Sequence, residues 1–133
     1  MTDISVQTTN TYQAEKRGWL RGTHGTGPGD NPSATLDLAL FTPATHYPNG
    51  FIPSGIALGK VTATGLYGPY DPAAADGRET AAGLLFGTLK ATAHPAGGLL
   101  VHGFVDPTRL PLKSGTGSVD AAAKTALNLI HWS

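Results

Sequence analysis

The chain has 133 residues, 9 of them Lys or Arg and 9 Asp or Glu, so its formal net charge is zero and charged residues make up 14% of it, against about 25% in an average soluble domain. With no cationic excess to neutralise phosphates, direct nucleic-acid binding is excluded as a main role, and so is disorder driven by charge repulsion. Cysteine is absent, which removes disulfides, thiolate metal ligands and thiol nucleophiles together.

Glycine (18) and proline (10) supply 28 residues, too many for long helices to fill the chain. Ile, Leu, Val and Phe are scarce at the start, where only Ile4, Val6 and Leu20 occur in the first 34 residues. Residues 1–34 therefore read as a polar N-terminal arm and residues 35–133 as one small domain. A core this thin leaves a domain short of buried surface, so burial against other subunits is the expected supplement. The opening residues MTDISVQTTN show neither a basic nor an apolar signal region, and no apolar run approaches membrane-spanning length. Synthesis in a cytoplasm without membrane association is expected.

Within the arm, Gly22 to Pro32 (GTHGTGPGDNP) is rich in turn formers, while Tyr12, Trp19 and Leu20 stand beside Lys16, Arg17 and Arg21. Large apolar groups among basic ones suit a segment that orders on a partner; the other placement for Trp19 is against its own domain, and the two stand even. The compact part opens with TLDLALF, whose Leu36, Leu38 and Leu40 alternate as in a half-buried strand. A turn-rich loop over residues 42–53 follows. The spacing then predicts a strand over 56–64 with a bulge at Gly59, a long turn region over 65–77, and strands over 80–93 and 99–105 separated by HPAGG. One helix is predicted near the C-terminus, capped by Ser118, with Val119, Ala122, Ala123, Ala126, Leu127 and Ile130 on one stripe. The fold class is α+β and β-rich, with that single C-terminal helix.

Candidate chemistry is sparse. The glycines near residues 22–29 lack the Lys-Ser/Thr ending of a phosphate loop. Asp71 and Asp76 do not have the ligand spacing of a calcium loop and read as turn residues. The five histidines, His24, His46, His94, His102 and His131, include no helical i, i+4 pair, and a zinc site without Cys would need three of them from separate loops; His102 is expected on the exposed face of a strand. Ser54 lacks the first glycine of a nucleophile elbow. Three other classes stay open at this point: a carbohydrate-binding module using Tyr47, Tyr67 and Tyr70, a small hydrolase using carboxylates such as Asp71 and Asp76, and a tail or baseplate structural protein. No catalytic residue, cofactor or metal is assigned.

The run Gly55 to Phe86 (GIALGKVTATGLYGPYDPAAADGRETAAGLLF) resembles the head decoration proteins of lambda-type tailed phages. It matches a G-x-x-L-G-K strand, a PYDPxxxDG turn and an AAGhL strand at Gly55, Leu58, Gly59, Lys60, Pro69, Tyr70, Asp71, Pro72, Asp76, Gly77, Ala82, Gly83 and Leu84. The likeness spans about residues 35–131, and the KRGWLR segment over 16–21 with His24-Gly25 extends it towards residue 12. It departs after Val105, where Asp106 to Lys113 (DPTRLPLK) replaces a more apolar segment carrying a Trp.

The resemblance implies a β-clip-like subunit, a late structural protein of the bacteriophage virion that forms homotrimers. Such trimers bind the major capsid protein at local three-fold axes on the outer surface of the expanded head and stabilise it against DNA pressure. It further implies an N-terminal arm that becomes ordered on the capsid. Combined with the residues of the arm, that makes Tyr12, Arg17, Trp19, Leu20 and Arg21 the expected capsid contacts.

Overall fold

The structure, a computed structural model, describes residues 18–21, 31–91 and 95–132. Its strands are β1 (Ser33–Thr35), β2 (Phe51–Ile52), β3 (Ala57–Lys60), β4 (Tyr67–Pro69), β5 (Ala81–Leu85), β6 (Leu89–Lys90), β7 (Ala96–Leu100), β8 (Gly103–Val105) and β9 (Ile130–Trp132). Two short helices, α1 (Pro43–His46) and α2 (Ala121–Ala126), and 3-10 turns at Leu38–Leu40 and Pro107–Arg109 complete a β-rich α+β fold.

The main sheet is antiparallel, in the order β1-β7-β5-β3-β4. Its two edges meet. Leu36, next after β1, bridges to Tyr67 of β4, and the Asp37 N–H donates to the Tyr67 carbonyl at 2.9 Å. Closing the edges in this way leaves no long unpaired strand on the main sheet. Both faces of the sheet are covered. Leu58, Leu85 and Leu99 enter one cluster with Leu36, Phe41, Ile52 and Ile56, while Ala57, Leu84 and Leu100 enter another with Trp19, Val105, Ala123, Leu127 and Ile130. Strands buried on two faces read as continuous apolar runs rather than as alternation, which is the pattern of Ile56, Ala57 and Leu58 leading into β3 and of GLL in β5.

Several elements differ from expectation for local reasons. TLDLALF is not one strand: the Asp37 carboxylate accepts the Ala39 N–H at 3.1 Å and turns the chain into the 3-10 segment. Leu36 stays in the sheet, and Leu38 and Leu40 pack half-buried beside it. The 56–64 strand stops at Lys60, because residues 61–66 close a turn in which Gly65 N–H donates to the Val61 carbonyl at 2.8 Å. Its bulge is where the glycine suggested, the register slipping between Leu58 and Gly59. The 80–93 run divides into β5 and β6, and the 99–105 run into β7 and β8, with half-buried His102 at the break. Of HPAGG, Ala96, Gly97 and Gly98 are strand residues paired with β1.

The C-terminal helix is shorter than its stripe. Asp120, not Ser118, is the N-cap and accepts the Ala123 N–H at 2.8 Å; the Ser118 hydroxyl instead donates to the Gly115 carbonyl. The helix ends at Leu127, so Ile130 enters β9. Ala123, Leu127 and Ile130 are buried as the stripe required, whereas Ala122 and Ala126 are exposed.

The largest correction concerns Trp19. Its side chain is 1% exposed and lies in the core of its own domain, with the indole Nε1 donating to Ser54 Oγ at 3.3 Å. The cause is backbone pairing along β8: Asp106 N–H donates to the Trp19 carbonyl at 2.7 Å and Arg21 N–H to the Phe104 carbonyl at 3.0 Å, with Leu20 opposite Val105. Trp19 is thus a core residue and not an exposed anchor, and Gly18–Arg21 belongs to the folded body.

Candidate functional site

The matched motif builds a loop stapled to the bulge of β3. Pro69 is buried opposite Leu58, and the Tyr70 N–H donates to the Ala57 carbonyl at 2.8 Å. Asp71 starts the turn by accepting the Ala73 N–H at 3.0 Å with its side chain and the Ala74 N–H at 3.0 Å with its carbonyl, leaving Pro72 exposed at the corner. Asp76 closes it: one carboxylate oxygen accepts the Arg78 N–H at 3.2 Å, and the Arg78 Nε donates to both oxygens, at 3.2 and 3.0 Å. These bonds, the backbone N–H first, hold the Asp76 carboxyl below the usual carboxylate range. The Asp76 carbonyl accepts the Thr62 N–H at 2.9 Å, fixing the loop on the end of β3. The glycines serve this close approach. A Cβ on Gly59 would stand 2.6 Å from the Arg78 Cα, and Gly77, at φ +116°, passes beside the Lys60 carbonyl. Lys60 ends β3 exposed, opposite Tyr67, and Gly83 is buried in β5 opposite Leu58.

Tyr70 ties this loop to α2. Its hydroxyl donates to Asp120 Oδ1 at 2.9 Å, the same oxygen that caps the helix. Burial, then the hydrogen bond and charge of Asp120, push the Tyr70 hydroxyl up to about 12 from 10.0. Because the neutral form is favoured in the folded state, the resulting stability is full below pH 10 and is lost as pH rises towards 12. Wild type is therefore expected to lose denaturant resistance across that window. Tyr70→Phe should cost about 1 kcal/mol at neutral pH and flatten the alkaline loss; an unchanged alkaline profile in Tyr70→Phe would contradict the assignment. With Tyr70 buried at 1% exposure, it cannot join Tyr47 and Tyr67 in an exposed aromatic face for sugars.

A second assembly lies where the first described segment meets the last. β8 and β9 form a parallel two-stranded ribbon, and Leu20 bridges antiparallel to Val105 on the other side of β8. Its inner row is Leu20, Val105 and Trp132, packed on the core. Its outer face carries Arg21, Phe104 and His131, all exposed. At one end Asp106 Oδ2 meets Arg21 Nη1 at 3.5 Å and Arg109 Nε at 3.4 Å. The Thr108 hydroxyl and backbone N–H, followed by the two arginines, hold the Asp106 carboxyl below its usual range. Of the residues expected to touch a partner, Leu20 and Arg21 are thus together on this ribbon, Trp19 is beneath it, and Tyr12 and Arg17 lie outside the described residues, as do His24 and His94. Sequence reasoning missed Phe104, Asp106 and Arg109. Their only signal was the departure over 106–113, whose Asp106-Pro107 begins a 3-10 turn capped by the Asp106 side chain.

The motif loop and its β3 anchor fall inside a family match. The family described as Bacteriophage lambda head decoration protein D matches residues 44–131. The chain belongs to this family. Neither a curated protein nor a solved structure matches it. Head decoration proteins are structural proteins of the phage particle rather than enzymes, and they bind the phage capsid. The match runs from within α1 into β9 and begins after β1 and Trp19, both of which pack on the same body. No helix among the described residues is long and apolar enough to cross a membrane.

Proposed function

We propose that this chain is a capsid cement protein, bound as homotrimers at local three-fold axes on the outer surface of the expanded head, where it resists the pressure of packaged DNA. The observation that carries the reading is the decoration-family match over residues 44–131. Two physical features support it. Net charge is zero, which keeps the protein from adhering to DNA, and a small domain gains stability by burying surface against further copies. Many identical trimers clamping neighbouring capsid subunits hold the shell with modest affinity at each site.

In this reading the arm, expected over residues 1–34, joins the folded body at Gly18–Arg21 and again at β1, and residues 35–133 make the rest of the decoration domain. Tyr12, Arg17 and Arg21 contact the major capsid protein, the arginines pairing with capsid carboxylates at the rim, while Leu20, expected among these contacts, packs inward on the core. Trp19 acts from below, fixing the position at which the arm leaves the body. The experiment is binding of purified protein to expanded, undecorated capsids, with sedimentation of the free protein alongside. Trimers in solution and saturable binding are expected. A Tyr12→Ala, Arg17→Glu double variant should bind about tenfold more weakly, roughly 1.4 kcal/mol, with unchanged sedimentation; undiminished binding would exclude the arm from the contact.

A further inference from the structure

Asparagine is among the chemically labile side chains, and of Asn10, Asn31, Asn49 and Asn128 only Asn49 precedes a glycine. Asn49 and Gly50 are both exposed, in a turn that the Gly50 N–H closes by donating to the Tyr47 carbonyl at 3.0 Å. The Asn49 side chain folds back along the chain, its Oδ1 accepting the Phe51 N–H at 3.4 Å. That bond brings the side-chain carbonyl carbon over the Gly50 peptide and polarises it for attack. Gly50, at φ +85°, has nothing within 4 Å of where a Cβ would stand, so the approach to its nitrogen is not crowded from that side. Asp76-Gly77, the aspartate–glycine junction of the chain, is built the opposite way. There the Gly77 N–H donates to Glu79 Oε2 at 2.8 Å, and the Asp76 carboxylate is bound by Arg78 and stays ionised, a poor electrophile.

We propose that Asn49 is a site of self-modification, where the folded protein converts the side-chain amide to a carboxylate without an enzyme. The Gly50 nitrogen gives its proton to a base in solution and bonds to Asn49 Cγ. The Cγ–Nδ2 bond breaks, and the amide nitrogen takes up a proton and leaves as ammonia. Water then opens the resulting five-membered imide: at Cγ it yields aspartate, and at the backbone carbonyl it yields isoaspartate. In sum one water is consumed and one ammonia released, with no change of oxidation state. Either product adds one negative charge to a chain whose net charge is zero. Aspartate keeps an acceptor for the Phe51 N–H. Isoaspartate adds a carbon to the backbone just before β2, where the Gly50 carbonyl accepts the Ala91 N–H at 2.9 Å and Ile52 is fully buried, so it disturbs the pairing of Phe51 with Lys90. The modification stands independently of the capsid-binding reading.

The test holds full-length protein warm at mildly alkaline pH, folded in buffer and unfolded in urea, and follows every asparagine and Asp76 by peptide mass spectrometry. In the folded protein Asn49 should convert about tenfold faster than Asn128, whose neighbour Leu129 sets a Cβ beside the attacking nitrogen. Both aspartate and isoaspartate should form, with ammonia released and an acidic shift on isoelectric focusing, while Asp76 stays unrearranged until urea unfolds the chain. Asn49→Gln, whose longer side chain disfavours the ring, should abolish the acidic shift. An Asn49 that keeps its amide in the folded chain while the unfolded chain loses it would overturn the inference, since the fold would then hold the side chain away from Gly50. Conversion in the folded chain no faster than at Asn128 would overturn it as well.

Discussion

Trp19→Ala is expected to lower the stability of the whole domain by about 3 to 5 kcal/mol, the range for removing a large buried aromatic. The indole is 1% exposed among Val105, Leu110, Ala123, Leu127 and Ile130, so its loss opens a cavity between the main sheet, β8 and the C-terminal segment that these rigid neighbours cannot collapse to fill. It also leaves Ser54 Oγ without the donor seen at 3.3 Å. Marginal stability for a domain of this size makes such a loss decisive. Urea or guanidinium unfolding measures it, and a midpoint within 1 kcal/mol equivalent of wild type would mean that residues 18–21 do not pack as described. Because the Trp19–Arg21 backbone is hydrogen-bonded to β8 and the residue after it, Trp19→Phe should recover much of the loss by keeping that pairing and most of the apolar volume.

Gly77→Ala is the second large effect. At φ +116° any side chain is strained, and the added Cβ would collide with the Lys60 carbonyl oxygen, a backbone atom that cannot swing aside. Relief requires the Asp76–Arg78 loop to lift off β3, breaking the 2.9 Å bond from Thr62 N–H to the Asp76 carbonyl. A cost of about 3 kcal/mol is expected. Gly115→Ala separates the two causes, since Gly115 has φ +80° but open space around a new Cβ; it should cost only about 1 kcal/mol. Equal losses at the two positions would show that conformational strain alone, and not the close approach to β3, makes Gly77 necessary.

How much of this was legible in the sequence depends on where the controlling interaction lies. Turn chemistry is local, so the bulge at Gly59 and the turns at Asp71-Pro72 and Asp76-Gly77 were readable from single residues and their neighbours. Strand limits were not. Burial on two faces erased the alternation that marks a strand end, so β5 and β6, and β7 and β8, read as single runs. The Leu36–Leu40 alternation misled for the opposite reason: its period was correct, but one carboxylate, on Asp37, diverted the backbone within the segment. Helix α2 shows the same competition, Asp120 capping two residues later than Ser118 because it also receives the Tyr70 hydroxyl. The ribbon could not be read at all. Residues 20, 105 and 132 are adjacent only through tertiary pairing, so Trp19 looked like part of an outlying arm, and Arg109 and Phe104 gave no sign of lying near Arg21.

The central claim is that this family member is a capsid cement. Electron cryomicroscopy of expanded, undecorated heads mixed with the purified protein tests it most directly. Trimeric density at the local three-fold axes of the outer surface, with heads that then survive heating that bursts bare ones, is the predicted result. Heads that remain bare at saturating protein, or density confined to the tail, would contradict it.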